Sequence, residues 1–419
     1  MVVQKELSQD RERGLLRRGF LFACTNKSEA ECLNGHVFGT EKLYGPIVIR
    51  IRKGDILFLN NIDTNVLYGA FRAISDGGLD IKPVAFGGRY RYQVKVEPVG
   101  QIIKVENAKK ILTKIEFGRN RPIFKGSLIG LLEALKTLAE GNSPLSYGEL
   151  KISSGILDKE IESIRNSKAK VDIEDEIPLI ESTTLWDFPR QSYGLTAKGD
   201  NKYAGVTPAL IIYNMVWRYT DPMDLVVDPM CGSGTTIDVC KEEQRRAIGY
   251  DIHPTRPDII KNDARTIPLE DNSVDMVFID SPYSDNIKYN EEPENIGNIS
   301  SETEMFYDEL EKVMRESQRI LKEGKVLGWL IGDQWVGKKF TPVGFKIYNS
   351  LTKYFEPVEI VCVTRKSQYS NTGVWHNRAR RFNFYLRGFK YLIIVKKNTG
   401  KSESSQPREI KWAYYDRPK

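Results

Sequence analysis

Two short runs hold the residues best suited to chemistry. The first is Val226-Val227-Asp228-Pro229-Met230-Cys231-Gly232-Ser233-Gly234-Thr235-Thr236, and the second is Val277-Phe278-Ile279-Asp280-Ser281-Pro282-Tyr283. Each is an apolar β-type run that stops at an acidic residue and passes into Pro, Gly or Ser. That pattern predicts a buried parallel strand delivering functional groups at its carboxyl end. Gly232 and Gly234 let the backbone approach a ligand closely, and a helix is expected to open near Thr235. A third run, Ala247 to Asp251, also ends in an acid. It falls roughly 20 residues past the glycine turn, where Rossmann-like folds place a carboxylate that accepts from ribose hydroxyls. A turn cap is the alternative role for Asp251.

The elements that must position these groups alternate. A helix is expected to open at Thr207-Pro208 and run through Tyr219, with Pro in the first turn where its missing N–H costs little. Strand Leu225 to Asp228 follows, then a helix through about Glu243, strand Ala247 to Asp251 and strand Val274 to Ile279. Glu302 to Lys322 reads as an amphipathic helix ended by Gly324, and Lys325 to Ile331 as the next strand. Val358 to Thr364 and Lys390 to Lys396 read as a final antiparallel pair. The class is α/β and Rossmann-like.

The first hundred residues differ. Phe20 to Ala23, Ile47 to Ile51, Ile56 to Asn60, Leu67 to Ile74 and Tyr92 to Val96 are short β-type runs separated by turn chemistry. Ser28 to Leu33 fits a short helix capped by Ser28. A small, mostly β barrel is expected over 1–105. Residues 106–200 form a helical and extended linker, with helices at Ser127 to Glu140 and Asp158 to Asn166 and an irregular stretch from Ser167 to Asn201. Its helical part is expected to be a spacer or a cap on the catalytic domain. The α/β domain spans 201–400, and 401–419 is a polar tail.

The two opening runs resemble signature motifs of the S-adenosyl-L-methionine-dependent methyltransferases that modify exocyclic amino groups of bases. That family pairs a strand, Asp-Pro and Gly-Ser-Gly-Thr-Thr with a later Asp/Asn/Ser-Pro-Pro-Tyr; here Ser281 stands where it usually has Pro. The resemblance implies a class I methyltransferase domain of seven strands. It implies cofactor contacts from Thr207, Pro208, Asp228, Pro229, Cys231, Gly232, Ser233, Gly234, Thr235, Asp251, Ile252, Asp263 and Ala264, and catalytic roles for Asp280, Ser281, Pro282 and Tyr283. Gly19 to Cys24, Lys53 to Leu59, Leu67 to Ala73 and Ala85 to Tyr92 resemble PUA-like barrels related to the plant DCD, EVE and YTH modules, which implies a nucleic-acid module, most often an RNA-binding one.

An exocyclic amine is a poor nucleophile because its lone pair is delocalised into the ring. A carboxylate accepting one N–H, with a backbone carbonyl accepting the other, localises that pair and aims it. Asp280 and the Ser281 carbonyl are placed for this, and Tyr283 for stacking on a base outside a duplex. A C5-cytosine enzyme would want a nucleophilic Pro-Cys, which this chain lacks. His36, His253 and His376 have no metal-ligand spacing, so no metal is expected.

Net charge is +6 and permits a nucleic-acid partner, but the placement of the cations is more informative. In an extended strand, Arg89, Tyr90, Arg91 and Tyr92 would put both arginines on one face and both rings on the other. Arg378, Arg380 and Arg381 form the densest basic patch near the catalytic domain, read as a phosphate clamp. Arg89, Tyr90, Arg91, Arg378, Arg380 and Arg381 are the expected substrate contacts; the alternative puts the tyrosines in the barrel core and leaves the arginines of both clusters simply solvated. Five scattered cysteines without a Cys-x-x-Cys pair, no secretory signal and no membrane-length apolar run make the chain read as cytoplasmic. No oligomeric state follows from the sequence. Barrel, linker and motif order resemble archaeal enzymes that form N4,N4-dimethylcytidine in small-subunit ribosomal RNA. RNA cytidine N4 is thus the expected target; the alternative is a DNA N4-cytosine or N6-adenine methyltransferase of a restriction–modification system, because Asp at 280 is commoner in adenine enzymes.

Overall fold

Short apolar runs broken by turns fold into a six-stranded barrel-like sheet. Its strands are β1 (Gly19–Cys24), β2 (Val37–Thr40), β3 (Ile56–Asn61), β4 (Val66–Ala73), β5 (Gly78–Leu79) and β6 (Tyr92–Glu106). The order is β1-β3-β4-β6-β2, with β5 also on β6. Helix α1 (Glu29–Gly35) joins β1 to β2, and α2 (Gly45–Val48) joins β2 to β3. The computed structural model describes residues 18–109, 112, 125–141, 158–159, 161–165, 177–188, 190–194, 196–203, 205–285, 294–336, 338–364 and 372–398. The charged N-terminal stretch, the tail at 401–419 and most of 142–176 lie outside the described residues.

The second sheet has eight strands, in chain order β7 (Leu185–Asp187), β8 (Leu225–Asp228), β9 (Arg246–Asp251), β10 (Ile259–Lys261), β11 (Val274–Asp280), β12 (Leu321–Ile331), β15 (Glu356–Thr364) and β16 (Phe389–Lys396). A small hairpin, β13 (Gln334–Val336) with β14 (Lys339–Thr341), intervenes. The sheet order is β10-β9-β8-β11-β12-β16-β15-β7. Neighbours from β10 to β12 are parallel, and β16 runs antiparallel to both β12 and β15. The chain moves outward from β8 to β10, then returns to β11 on the other side of β8. That reversal opens a crevice at the carboxyl ends of β8 and β11, where open α/β sheets bind ligands.

Helix α3 (Lys125–Gly141) belongs to the barrel. Helices α4 (Ala209–Tyr219), α5 (Thr235–Glu242), α6 (Glu304–Ile320), α7 (Val343–Leu351) and α8 (Gly373–Arg381) complete the α/β domain. Leu128, Leu131, Leu132 and Leu135 of α3 pack with Ile161 and Ile164 against barrel residues Phe58, Leu67 and Val105. The expected cap on the catalytic domain is therefore a cap on the barrel.

Several expectations need correction. Ile47–Ile51 is not a strand: Pro46 pre-sets the first turn of α2, which buries all four of its residues. Ser28 sits at the N-cap of α1, but its hydroxyl bonds within the preceding turn and does not cap the helix. Pro208 is the N-cap of α4 and lies outside its first turn. Helix α6 ends at Ile320, and Gly324 (φ +71°) lies inside β12. The irregular stretch supplies β7, parallel to β15, so the α/β sheet draws on residues upstream of 201.

One apolar core runs through both halves of the molecule. It joins Phe22, Phe38, Phe71 and Tyr92 of the barrel to Tyr213 and Trp217 of α4, and on to Val226, Phe278 and Leu392 of the large sheet. Eight of the eleven residues of α4 are buried, as expected of a helix covered on every side. At Gly45 a Cβ would lie 2.7 Å from the Trp217 ring and 2.8 Å from the Tyr92 ring, so α2 meets both rings with bare backbone.

Polar groups complete the joint. Glu243, fully buried, accepts from Arg50 (2.8 and 3.2 Å), the Tyr193 hydroxyl (2.9 Å) and the Trp217 indole N–H (2.9 Å). The Arg245 guanidinium lies 4.2 Å from the Trp217 ring centroid. At the rim, Asp221 pairs with Lys42 and Arg91. Removing Glu243 takes from Arg50 its bidentate partner, leaves it only the Glu242 carboxylate at 3.7 Å, and strands the Tyr193 and Trp217 donors in the core. Glu243→Ala should lose about 3–5 kcal/mol of unfolding free energy in denaturant titration. A loss below about 1 kcal/mol would show that Arg50 finds water and that the pair is not what joins the two halves.

Candidate active site

The crevice is lined at its base by the turn after β8, where Pro229, Cys231, Gly232 and Ser233 face it. Gly232 (φ +50°) and Gly234 (φ +81°) take backbone conformations that side chains resist. Where Gly232 would carry a Cβ, the Tyr203 ring stands 3.0 Å away. Arg256 clamps the turn from outside, donating to the Ser233 and Gly234 carbonyls and pairing with Asp238 of α5. Asp251, at the end of β9, accepts from Gly232 N (2.8 Å) and His253 N (2.9 Å). Its carboxylate thus holds the glycine turn while facing the crevice.

Asp228 turns inward. It accepts from the Thr236 hydroxyl (2.5 Å) and Met230 N (3.1 Å), tying the end of β8 to the first turn of α5. Burial pushes its carboxyl up to about 7, the Thr236 and Met230 donors holding it down and Asp251 and Asp280 adding to the rise. Asp228, Pro208, Gly234 and Thr235 do not line the crevice, so they shape it from behind.

Asp280, Ser281, Pro282 and Tyr283 line the crevice from the end of β11, Ile252, Asp263 and Ala264 line it from the ends of β9 and β10, and Thr207 lines it too. Thr207 donates its hydroxyl to Asp280 Oδ2 (2.7 Å), and Lys390 Nζ lies 3.3 and 3.4 Å from the two Asp280 oxygens. Thr207, expected against the cofactor, lines the crevice and also bonds Asp280. Lys390 was missed, and its only signal was a lone cation inside the otherwise apolar run Phe389 to Val395. Tyr203, Asn295 and Ile296 also line the crevice without a sequence motif. Asp263 is held by Arg265 through both carboxylate oxygens. Burial raises its pKa, and the Arg265 hydrogen bonds more than offset this, so it lies below the ordinary aspartate value.

Ser281, where an amino-methyltransferase motif usually has Pro, has a structural role. It is buried, and its Oγ accepts from the Trp329 indole N–H on β12 (3.0 Å). Proline there would leave that buried donor unpaired.

The two expected substrate clusters stand apart from the crevice wall. Residues 89–91 form no strand: Arg89 caps a 3-10 turn at 85–88, and β6 begins only at Tyr92, which is buried. The alternating face is therefore not built. Arg89 pairs with Glu41 and lies on the Tyr90 ring, while Arg91 pairs with Asp80 and Asp221. Arg378, Arg380 and Arg381 are exposed on α8, in the chain leading to Lys390. Among the described residues no cluster of three or more His, Cys, Asp or Glu is placed to hold a metal, and no helix is long and apolar enough to cross a membrane.

Asp228 makes the fold pH-sensitive. Between the ordinary carboxylate value of 3.8 and about 7, the folded chain keeps a proton that the unfolded chain has released. Stability contributed by this group therefore falls as pH rises through that window, by at most about 1.4 kcal/mol per pH unit. Asp228→Asn should flatten this slope in denaturant titrations between about pH 4.5 and 7, which lie inside that window. An unchanged slope would show that Asp228 is ionised throughout.

Residues 18–117 match the Development and cell death domain model, and residues 142–262 match the N6/N4 DNA methylase model. The second match takes in the glycine turn and Asp251 and ends before Asp280. The chain is 32% identical to the DCD domain-containing protein NRP-A of Glycine max over 110 residues, 25% of this chain and 28% of that protein. It is 40% identical to the B2 protein of Daucus carota over 68 residues, 16% of this chain and 33% of that one. It thus spans about a third or less of these relatives' length. Among solved structures, a Thermus thermophilus protein described as a putative DNA modification methylase, solved with S-adenosyl-L-methionine, is 24% identical. That alignment covers 35% of this chain and 57% of that one, with a TM-score of 0.24. A SAM-dependent methyltransferase of Methanosarcina mazei is 15% identical over 44% of this chain and 97% of that one, with a TM-score of 0.29. Strand order, the glycine turn and the two family matches meet in one description: the chain carries a development and cell death domain fused to a Rossmann-like methyltransferase domain of the N6/N4 DNA methylase type.

Proposed function

We propose that the protein transfers methyl groups from S-adenosyl-L-methionine to the exocyclic N4 amine of a cytidine in RNA, with small-subunit ribosomal RNA in the cytoplasm as the expected substrate. The observation that carries this reading is the shared crevice. A carboxylate followed by Ser-Pro-Tyr faces a glycine turn and a strand-end acid across the point where the sheet order reverses.

The residues present fit the cofactor. Gly232 offers bare backbone under Tyr203, Asp251 reaches the crevice where ribose hydroxyls need an acceptor, and Ile252, Ala264 and Ile296 supply apolar surface for a purine ring. Bound there, the cofactor supplies a methyl group activated by a sulfonium. Asp280 accepts one N–H of the target amine, and the Ser281 carbonyl accepts the other, localising the lone pair. Thr207 and Lys390 fix the Asp280 carboxylate in place, and Trp329 fixes the Ser281 side chain behind it. Tyr283 stacks on the base, and Asp280 is the nearest acceptor for the proton the nitrogen loses after transfer.

The RNA assignment draws on the PUA-like character of the barrel, which is held to the transferase through a continuous core. DNA is the second reading, favoured by the description of the matched family and by Asp at 280. Incubation with methyl-labelled cofactor and either ribosomal RNA or genomic DNA, followed by digestion to nucleosides, separates them. Label is expected in N4-methylated cytidine from RNA. Label confined to DNA, or carried by adenine, would overturn the assignment.

A further inference from the structure

Downstream of the basic patch of α8, the chain reaches a surface beside the crevice through Arg387. Gly332 follows β12 directly, and a Cβ there would lie 3.6 Å from Lys390 and 3.9 Å from Tyr283. Hairpin β13–β14 starts two residues later, beside the wall that carries Asp280. Trp335 and Phe340 are direct cross-strand partners in that hairpin, so their rings share one face. They are 37% and 44% exposed. Arg387, three residues before Lys390, lays its guanidinium over the Phe340 ring at 5.3 Å. Further along, Arg378 lies over Trp375 and Arg381 over Phe382, with Phe382 and Tyr385 largely exposed.

The charges on this surface differ from most of the fold's guanidiniums. Arg50, Arg91, Arg256, Arg265, Arg315 and Arg319 all pair with carboxylates. Among the described residues, Arg378, Arg380, Arg381 and Arg387 have no carboxylate partner. Arg387 Nε is buried without an acceptor, while its Nη2 bonds the Tyr385 carbonyl (2.8 Å). Exposed rings interleaved with unpaired guanidiniums match bases and phosphates of a single strand.

We propose that hairpin β13–β14 and residues 375–387 bind the nucleotides flanking the target in single-stranded form. Bases stack on Trp335 and Phe340, and phosphates lie against Arg387, Arg381 and Arg378. This inference rests on reading the crevice as a nucleic-acid methyltransferase site, and it assigns strand recognition to this surface next to the crevice in addition to the barrel.

The test uses the full chain with a short cytidine-containing oligoribonucleotide and the oligodeoxynucleotide of the same sequence. Affinity is read by fluorescence anisotropy, KM by methyl transfer, and cofactor affinity separately. Trp335→Ala with Phe340→Ala should raise Kd and KM together, roughly 5- to 150-fold per lost stack, while cofactor affinity stays the same. Trp335→Phe with Phe340→Tyr should restore both. Arg381→Gln with Arg387→Gln should lessen the salt dependence of Kd. The stronger-binding oligonucleotide identifies the strand type. Unchanged Kd and KM in the double alanine variant, or a loss that the aromatic variants fail to restore, would overturn the proposal. Absence of transfer to either oligonucleotide by the unmodified protein would instead overturn the functional reading, leaving the Kd comparison to decide this one.

Discussion

A single buried carboxylate, Glu243, ties the molecule together. Its ligands come from the barrel (Arg50), from the stretch between β7 and α4 (Tyr193) and from the helix that precedes the glycine turn (Trp217). A charge with no access to water persists only when its oxygens are fully engaged. The three donors must therefore be held at once, which fixes the barrel against α4. Glu243 also follows α5 directly, and α5 opens at the glycine turn. One short helix thus separates the joint between the halves from the base of the crevice.

At the other end of that helix, three acids divide the work. Asp228 ties β8 to α5 from behind, Asp251 holds the glycine turn and faces the crevice, and Asp280 reaches in from the end of β11. Their separation follows from topology, because β8 and β11 are neighbours whose outgoing connections diverge. The antiparallel β16 then crosses back beside β12 and brings Lys390 to Asp280. Cation, hydroxyl and carboxylate arrive from three separate parts of the chain, so local sequence carries no trace of their meeting.

What was legible followed from local physics. Apolar runs ending in an acid announced β8, β9 and β11, and the leucine spacing of α3 announced its buried face. What was illegible depended on distant partners. Ile47 to Ile51 has strand composition, yet Pro46 and the rings of Tyr92 and Trp217 make its start a helical turn. Arg89 to Tyr92 alternates as a strand would, but Asp80, Glu41 and Asp221 claim the arginines and only Tyr92 enters the sheet. Ser281 became intelligible through Trp329, which lies on a neighbouring strand nearly fifty residues on (|i−j| = 48). Leu185 to Asp187 is too short to announce a strand and forms one only because β15 offers it an edge.

The central claim is that Asp280, held by Thr207 and Lys390, receives the target amine. The most direct measurement is single-turnover methyl transfer by Asp280→Ala, with cofactor affinity measured on the same preparation. The predicted result is a rate at least roughly a hundredfold lower with cofactor affinity unchanged, as for loss of a group that acts chiefly in the transition state. Transfer at the unmodified rate, with the cofactor still bound, would contradict it.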